Sequence, residues 1–421
     1  MLELHYDVAV IGAGPAGLAA AIAAKKQGAE KVIMIERDSA LGGILQQCIH
    51  PGFGLKCFNE ELTGPEYAGR FIEEAEQLGV ETLLNTMVLE VLPEGKVICT
   101  NSESGIICVQ AGSVVLAMGC RERTRANIRI PGARPAGIYT AGAAQRLINR
   151  QNTMVGRNVV ILGSGDIGMI MARRLTLEGA KVHAVAEIMD HLTGLTRNRV
   201  QCLDDFGIPL LLSHTISRID GYKRVKGVWI AKVDENLKPI PETEKYYPCD
   251  TLLLSVGLIP ENELSKEADV EIDPVTGGPV VNQYMQTSKP RIFACGNVVH
   301  VNDLADNVSE ESSFAGAAAA RYAMGQFPES TGTVVCKAGE NVRYVCPQKV
   351  LLSPEGEVVL YFRVTKTIHK ARLQCKCGDK VLASKRALVV NPGEMEHLKV
   401  NLADIDHGDI VVDVWEEAEN K

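Results

Sequence analysis

The feature that most constrains this chain is a glycine-rich turn near its start, which lies between an apolar segment and an alanine-rich one. The apolar segment 7–11 predicts a β-strand, and the alanine-rich segment after the turn predicts an α-helix. A second apolar run, 33–35, leads directly to Glu36. Strand, glycine turn, helix, strand and acid in this order are typical of a β-α-β unit that binds a dinucleotide.

Each glycine of the turn has its own role in such a unit. Gly12 permits the tight turn, Gly14 lets the backbone approach a pyrophosphate, and Gly17 lets the helix pack close to the strand. The helix N-terminus then faces the phosphates, and Glu36 is expected to accept hydrogen bonds from a ribose hydroxyl. The residues predicted for this site are Gly12, Gly14, Pro15, Ala16, Gly17, Glu36 and Arg37.

The same pattern occurs a second time later in the chain. Segment 158–162 predicts a strand, 163–168 a second glycine turn, and 181–186 a second strand that ends at an acid. A repeat at the scale of a domain indicates a second nucleotide site. The residues predicted for it are Gly163, Gly165, Asp166, Ile167, Gly168 and Glu187.

The end of this second strand bears on the choice of nicotinamide nucleotide. Glu187 suits a free ribose 2′-hydroxyl and hence NAD. An NADP site more often has arginine there, and Ala186 and Ile188 supply none. Arg197 and Arg199 lie farther on, so NADP stays open.

The composition, with 46% hydrophobic and 23% charged residues, is that of a globular protein. The length of 421 residues indicates two or three domains. A formal net charge of −8 argues against a nucleic acid or an anionic membrane as partner. No apolar run reaches the roughly 18 residues of a membrane span, and no targeting leader precedes the first strand. We therefore expect a cytoplasmic protein that acts on small molecules and other proteins, with its twelve cysteines mostly free.

After about Thr331 the chain changes character, to short strand-like segments separated by turns. The turns are indicated at 354–356, 378–379 and 392–393. This part is predicted to be a separate all-β module, a small sandwich.

The whole order, two glycine turns followed by a strand that ends in Gly296-Asn297, resembles the two-dinucleotide flavoproteins, a family that includes thioredoxin reductase and dihydrolipoamide dehydrogenase. The resemblance covers roughly residues 5–325 and implies FAD in the first site and NAD in the second. It implies an α/β fold with two Rossmann-like three-layer domains, one inserted in the other, plus the C-terminal sandwich-like module. The expected bounds are 1–122 and 250–330 for the FAD-binding domain, 123–249 for the NAD-binding domain and 331–421 for the C-terminal module.

The resemblance also implies roles for residues outside the two turns. The backbone at Gly42 and Gly43 would lie against the flavin side of the dinucleotide, and Gly257 would let the nicotinamide approach closely. Asn297 stands where the family has an aspartate that bonds the flavin ribityl chain, and its amide can still hydrogen-bond a hydroxyl. The remaining expected cofactor contacts are Val88, Ala117, Gly119 and Gly296.

Further motifs resemble narrower families. Segment 140–145, with Pro131-Gly132 upstream, is similar to flavoprotein subunits of heteromeric amine and amino-acid dehydrogenases, such as opine oxidase, sarcosine oxidase and hydrogen cyanide synthase. Segments 119–123, 163–168 and 308–311 resemble the FAD/NAD oxidoreductase often encoded beside a glycerol-3-phosphate dehydrogenase in Gram-positive anaerobes. These resemblances imply an oligomer in which this chain exchanges electrons with NAD(H) and with a partner dehydrogenase flavoprotein subunit.

Disulfide reductases of this superfamily need two cysteines beside the flavin, spaced C-x4-C or C-x2-C, and neither spacing occurs here. Cys48, five residues after Gly43, is the candidate catalytic residue. It is either a thiolate or sulfenate partner of the flavin, as in single-cysteine NADH oxidases, or a buried thiol packed near the flavin. His50 is the local cation that could stabilise a thiolate.

Four cysteines in the tail, Cys336, Cys346, Cys375 and Cys377, are enough for zinc or an iron–sulfur cluster. Their spacing matches no ordinary pair of C-x2-C knuckles, and a C-x-C pair on one strand points both side chains to the same face. We therefore expect no metal ion, and a packed or solvated ring at His300.

The leading hypothesis is an FAD-dependent oxidoreductase that exchanges hydride with NAD(H) and relays electrons to or from a partner subunit, with glycerol-3-phosphate oxidation as the candidate reaction of that partner. Two nucleotide sites occupy most of the first 325 residues, and no pocket of paired acids, bases or arginines for an organic substrate is expected besides them. One alternative is a stand-alone NADH oxidase or thiol-dependent reductase that uses Cys48. Another is a flavin-containing assembly scaffold whose β module docks a partner.

Overall fold

The computed structural model describes residues 2–353, 356–406 and 408–417. The chain forms two compact units, Met1–Cys120 with Pro260–Lys421, and Arg121–Ile259, so that the second unit is inserted into the first. Pro354 and Glu355, where the sequence predicts a turn, lie outside the described residues. No helix in the described ranges is both long enough and apolar enough to cross a membrane.

The first unit begins with a mainly parallel sheet and two helices. In chain order its elements are β1 (Leu2–Ile11), α1 (Pro15–Gln27), β2 (Val32–Ile35), β3 (Pro51–Phe53), β4 (Leu62–Thr63), α2 (Gly64–Gln77), β5 (Glu81–Leu83), β6 (Met87–Leu92), β7 (Lys96–Asn101) and β8 (Gly105–Leu116). The sheet order is β5-β2-β1-β8-β7-β6. Ile11, at the end of β1, is in register with Ile35 of β2 and Leu116 of β8. Three strands therefore end side by side where α1 begins.

The second unit also contains a parallel sheet with helices. The chain passes between the two units within the first and the last strand of this part of the chain. Its elements are β9 (Cys120–Glu122), α3 (Arg125–Ile128), β10 (Ile138–Thr140), α4 (Ala141–Gln151), β11 (Asn158–Leu162), α5 (Asp166–Leu177), β12 (Lys181–Ala186), α6 (Thr196–Cys202), β13 (Leu210–Leu211), β14 (His214–Asp220), β15 (Gly227–Lys232), β16 (Lys245–Pro248), β17 (Thr251–Leu254) and β18 (Leu258–Pro260). A parallel sheet has the order β10-β17-β11-β12-β13, and β14-β15-β16 form an antiparallel sheet.

The strand β17 determines where the second unit ends. It lies between β10 and β11, with Leu254 opposite both Thr140 and Leu162. The chain therefore stays in the second unit until Ile259, beyond the boundary expected at residue 249. The first crossover likewise falls after Cys120 instead of residue 122.

The chain then returns to the first unit with α7 (Glu263–Glu267), β19 (Ile292–Ala294) and α8 (Ala305–Ala323). β19 runs parallel to β8, so it also ends beside the start of α1. α8 packs tightly on α1, because a Cβ on Gly316 would lie 1.9 Å from the Ala20 carbonyl oxygen. The predicted α/β class with two Rossmann-like folds is confirmed.

The C-terminal part consists of strands around a core of its own. They are β20 (Thr333–Ala338), β21 (Val342–Cys346), β22 (Lys349–Leu351), β23 (Glu357–Val364), β24 (Ile368–Cys377), β25 (Lys380–Val390), β26 (Glu396–Asn401) and β27 (Ile410–Glu416). One sheet has the order β22-β20-β27-β24-β25 and the other β21-β23-β26. Buried residues alternate along β23, which is the pattern of a sheet with one face on a core. The prediction of a sandwich-like β module is confirmed.

This β module is not separate from the rest of the first unit, contrary to the expectation. The Val281 amide donates a hydrogen bond to Gln348 Oε1 at 3.0 Å. Arg363 forms an ion pair with Asp303, and the two side chains are only 14% and 16% exposed. The other carboxylate oxygen of Asp303 accepts a bond from the Met395 amide at 2.6 Å. A largely buried ion pair therefore holds the module against the loop before α8.

Replacing Arg363 with methionine tests this docking. The change leaves the Asp303 carboxylate buried without its cation, and breaking a pair of this kind costs about 3 kcal/mol. We expect the urea midpoint for unfolding of the β module, followed by tryptophan fluorescence, to fall accordingly.

The matched control is Arg386→Met, since Arg386 pairs with Glu417 at the surface of the same module. That substitution should leave the urea midpoint almost unchanged, because exposed ion pairs contribute little. Equal midpoints for the two variants would contradict a docking role for Arg363.

Candidate functional site

The first glycine turn is closed by contacts that leave no room for a side chain. Gly12 has a φ of +93°, and a Cβ there would lie 2.6 Å from the Ala117 carbonyl oxygen. A Cβ on Gly17 would lie 1.8 Å from the Gly12 carbonyl oxygen. The Ala117 amide donates to the Ile11 carbonyl at 2.9 Å, so the residue after β8 is hydrogen-bonded to the last residue of β1, directly before the turn. Both glycines therefore have the geometry that tight turning and close helix packing demand.

Gly14 differs from its neighbours, because a Cβ there would meet nothing within 4 Å. It precedes α1, which begins without a side-chain cap. A Cβ on Gly43 would lie 2.9 Å from the Gly14 Cα, and the Gly42 amide donates to the Ala13 carbonyl at 2.8 Å. The predicted glycine pair is thus brought to the turn. An open, uncapped helix N-terminus beside it fits the pyrophosphate of a dinucleotide.

Glu36 is buried at the end of β2 and holds this turn in place. Its Oε2 accepts a hydrogen bond from the Ala13 amide at 2.8 Å, and its Oε1 accepts one from the Asp38 amide at 2.8 Å. Each carboxylate oxygen can accept a further bond, so a ribose hydroxyl can still be accommodated. Of the other predicted contacts, Arg37 is exposed and Val88 is buried in the core of the first unit.

The strand β19 ends in a third glycine turn that packs against the first. Gly296 has a φ of +70°, and a Cβ there would lie 2.7 Å from the Ala16 Cβ. Asn297 Oδ1 accepts a bond from the Asn302 amide at 2.9 Å, and Asn297 Nδ2 lies 3.8 Å from Cys120 Sγ. The structure therefore brings Asn297 to the first turn, and its bond to the ribityl chain stays a prediction.

A buried polar chain lies behind this third turn. Glu311 accepts a bond from the Gly296 amide at 3.1 Å and lies 2.6 Å from His300 Nε2. The Cys346 side chain, at the end of β21, faces the same imidazole. Burial acts to lower the pKa of His300, but the facing Cys346 and Glu311 together raise it well above its usual value. His300 is thus packed, as one of the two expectations had it, and it connects the β module with the turn.

Cys48 follows the short helical turn Gly43–Gln47 and is buried. Its Sγ lies 3.3 Å from the Ile44 carbonyl oxygen, and its own carbonyl accepts a bond from the Gly64 amide at 2.8 Å. Cys57 is exposed as a residue, but the partial burial of its sulfur raises the pKa of the thiol to about 11, which disfavours the thiolate. The position of Cys48 is that of a packed thiol, and a redox role for Cys48 stays a prediction.

The second glycine turn repeats the geometry of the first. Gly163 has a φ of +99°, and a Cβ there would lie 2.0 Å from the Ser255 carbonyl oxygen. A Cβ on Gly168 would lie 2.7 Å from the Ser255 Cβ. Glu187, buried just after β12, accepts a bond from the Ser164 amide at 2.8 Å. The acid at the strand end again fixes the turn.

The segment 190–195 lies across this second turn. The Gly194 amide donates to the Ser164 carbonyl at 3.1 Å, and the Leu195 amide donates to Asp166 Oδ1 at 2.8 Å. A Cβ on Gly194 would lie 2.8 Å from the Asp166 nitrogen. The N-terminus of α5 is therefore covered by the chain itself, whereas that of α1 is open.

Two further glycines at strand ends have positive φ angles and space around them. A Cβ on Gly257 would come no nearer than 3.9 Å to the Arg123 side chain, and one on Gly119 would meet nothing within 4 Å. Their φ angles are +98° and +70°. Both positions have the freedom that the predicted close approach of a cofactor requires.

The structure also contains a cleft that the sequence did not predict. It lies in the second unit, has a volume of about 330 Å³, and is lined by Arg125 and Arg134 together with apolar side chains that include Ile138 and Leu254. The expectation that no pocket of paired acids, bases or arginines for an organic substrate is left besides the nucleotide sites did not foresee this arginine-lined cleft. These arginines are close together because the segment between β9 and β10 folds back on itself through the bond from Arg125 Nη2 to the Gly132 carbonyl, at 2.7 Å.

The four cysteines of the β module are all buried, and they lie on three strands. Cys375 and Cys377 lie on the same face of β24, as predicted. Cys336 lies on β20, and Cys346 faces His300. In the part of the chain that the structure describes, no group of three or more His, Cys, Asp or Glu side chains is arranged to hold a metal ion.

Comparison with known proteins identifies the family. The sequence profile of the pyridine nucleotide-disulphide oxidoreductases matches residues 6–326, which include all three glycine turns. The chain belongs to the pyridine nucleotide-disulphide oxidoreductase family. The two glycine turns have the geometry of dinucleotide sites, which agrees with a family whose cofactors are FAD and NAD(P).

Individual relatives agree with this assignment. The chain is 25% identical to one of the subunits of opine oxidase from Agrobacterium tumefaciens over 318 residues, which are 70% of this chain and 62% of the relative. It is 24% identical to the HcnB subunit of hydrogen cyanide synthase from Pseudomonas protegens over 321 residues, 70% of this chain and 66% of the relative. The chain therefore spans less than two thirds of the length of either relative.

Solved structures show the same fold. The thioredoxin reductase of T. acidophilum superposes with a TM-score of 0.62 at 22% identity, over 76% of this chain and 99% of that protein. The β module lies beyond the residues that the family profile matches.

Replacing Glu36 with glutamine tests the link between the strand-end acid and the flavin. An amide nitrogen would then face one of the two backbone donors, so one charge-assisted hydrogen bond to the loop is lost. We expect FAD to bind about tenfold more weakly or worse, measured as the dissociation constant for FAD of the deflavinated protein. Glu90→Gln, at an exposed position on β6, should leave that constant unchanged. Wild-type affinity in the Glu36 variant would contradict the assignment.

The glycines of the first turn allow a test that separates folding from binding. Gly14→Ala places a methyl group in open space, so the apoprotein should fold normally but lose affinity for FAD. Gly17→Ala forces a clash with backbone and should lower the thermal stability of the apoprotein itself. Gly69→Ala, in α2 with nothing near the added Cβ, is the control and should stabilise the fold slightly. Normal FAD affinity in the Gly14 variant would show that no pyrophosphate lies at this turn.

Proposed function

We propose that this protein exchanges hydride with NAD(H) through bound FAD and relays electrons to or from a partner dehydrogenase flavoprotein subunit. The observation that carries the proposal is the pair of glycine turns, each hydrogen-bonded to a buried glutamate at a neighbouring strand end. When bound, FAD and NAD(H) supply the hydride chemistry. The residues of the chain bind and orient them.

In this proposal each glycine turn, and the glutamate that binds it, has a defined role. The first N–H groups of α1 and the open space at Gly14 receive the FAD pyrophosphate. Glu36 and Glu187 keep the loops in shape and offer acceptors to the ribose hydroxyls. Gly257 leaves the nicotinamide free to approach from its side.

The partner is inferred from where the electrons can go next. The twelve cysteines are all free thiols, and no two have the spacing that a flavin-linked dithiol needs. Two relatives are named as subunits, which supports a complex for this chain as well. Glycerol-3-phosphate oxidation is the proposed reaction of the partner, supported by the resemblance at 119–123 and 308–311. A cytoplasmic oligomer completes the proposal.

Anaerobic titration with NADH tests this function. We expect the visible absorbance of the bound flavin to bleach, and Cys48→Ser to change the bleaching rate by less than about twofold, because the buried thiol takes no part. Cys57→Ser, at an exposed cysteine on the same segment, is the control for the substitution itself.

Three outcomes decide between the functions. A yellow protein that NADH does not bleach would contradict hydride exchange and favour a flavin-containing scaffold. Loss of bleaching or of dye reduction in the Cys48 variant alone would favour a thiol-dependent enzyme. Purification from the source cells with a second flavoprotein that oxidises glycerol-3-phosphate would support the relay, and purification without any partner would contradict it.

A further inference from the structure

The arginine-lined cleft of the second unit carries an inference beyond the electron relay. The segment 121–134 contains five arginines and one acid, Glu122. The Glu122 carboxylate already accepts bonds from the first amides of α4, at 2.8 Å from Gly142 and 3.3 Å from Ala143. The negative charge of this segment is therefore committed to the start of a helix and not to the arginines that line the cleft.

Three of these arginines surround two adjoining hollows. Arg125 and Arg134 line the cleft of about 330 Å³ already described. Together with Arg129 they also line a neighbouring one of about 320 Å³. None of the three forms an ion pair with any acid in the described ranges. A positive potential without a compensating carboxylate is therefore concentrated at the wall that the hollows share.

Arg125 is held in place and yet incompletely satisfied. Its Nη2 donates to the carbonyl oxygens of Ile130, at 2.8 Å, and Gly132, at 2.7 Å. Its Nε is buried and has no hydrogen-bond acceptor among the described residues. Burial and the neighbouring charge of Arg134 lower the pKa of Arg125. An anionic ligand at this place would accept a hydrogen bond from the buried Arg125 Nε and would offset the repulsion between Arg125 and Arg134.

The opposite wall of the first cleft is apolar. It is formed by Pro135, Ile138, Tyr139 and Leu254, and the hydroxyl residues Thr124 and Thr140 stand beside it. A ligand that fits both walls has a compact anionic group and a small apolar or ring-shaped body. A volume near 330 Å³ is at the lower end for ligand pockets, so the ligand is smaller than a dinucleotide.

The cleft adjoins the strands that lead to the second glycine turn. Ile138 and Tyr139 belong to β10, the edge strand of the parallel sheet, about 10 Å from β11, which precedes the turn. Leu254 of β17, the strand between them, lines the cleft and is in register with Leu162, the residue before the turn. Competition with NAD therefore tests whether the two sites are separate.

We propose that this cleft binds a small organic phosphate, with the phosphate at Arg125 and Arg134 and the organic part against Ile138, Tyr139 and Leu254. Guanidinium groups match the oxygen geometry of phosphate, and the Thr140 hydroxyl supplies a further donor. The site does not depend on the proposed electron relay.

Calorimetric titration of the flavin-loaded protein with phenyl phosphate tests this proposal. At constant ionic strength, phenyl phosphate should bind more tightly than inorganic phosphate, and phenol should not bind at all. Arg134→Gln, at an exposed position, should weaken phenyl phosphate binding about tenfold or more. Arg157→Gln, at an exposed position outside both hollows, should leave binding unchanged. Arg134→Lys should recover only part of the affinity, because an ammonium lacks the guanidinium fork.

Several results would overturn the site. These are no heat of binding up to about 10 mM phenyl phosphate, equal affinity in the Arg134→Gln and wild-type proteins, or competition by NAD, which would place the anion at the second glycine turn. Far-ultraviolet circular dichroism of each variant confirms that the fold is retained. Because binding is read without NADH oxidation, failure of the relay and failure of this site are distinguishable.

Discussion

Both nucleotide sites depend on one interaction that occurs twice, a buried glutamate at a strand end that accepts the amide of a glycine turn. The bonds from Ala13 to Glu36 and from Ser164 to Glu187 are both 2.8 Å long, and each spans 23 residues. A charge-assisted bond in a buried position is strong, so it sets the shape of the turn and the direction of the helix that follows. The second domain thus reproduces the local chemistry of the first.

The two sites nevertheless differ in how open they are. At the first turn, the space around Gly14 is empty and the N-terminus of α1 is uncapped. At the second turn, Gly194 lies against the start of α5, and Thr193 Oγ1 adds a further hydrogen bond to Glu187 at 3.1 Å. The two turns therefore share the buried glutamate but differ in how far the neighbouring chain covers the helix start.

Local sequence patterns were sufficient for the strands and turns that build the two sites. The strands 158–162 and 181–186 have the predicted bounds, because alternation between apolar runs and glycine turns is a local property. A local pattern does not explain why the strand Gly105–Leu116 contains Gly112. That glycine is required by a distant contact, because a Cβ there would lie 2.9 Å from Ala323 in α8. Residues far apart in the chain also create the Arg363–Asp303 pair, which no local pattern reveals.

The central claim is that one chain holds two separate dinucleotide sites. Native mass spectrometry of the purified protein with added NAD tests it most directly, because bound nucleotides are counted as mass increments. The account predicts one FAD and one NAD on the same chain at the same time, with the FAD increment unaffected by NAD. Displacement of FAD by NAD, or a single nucleotide per chain at saturation, would contradict it.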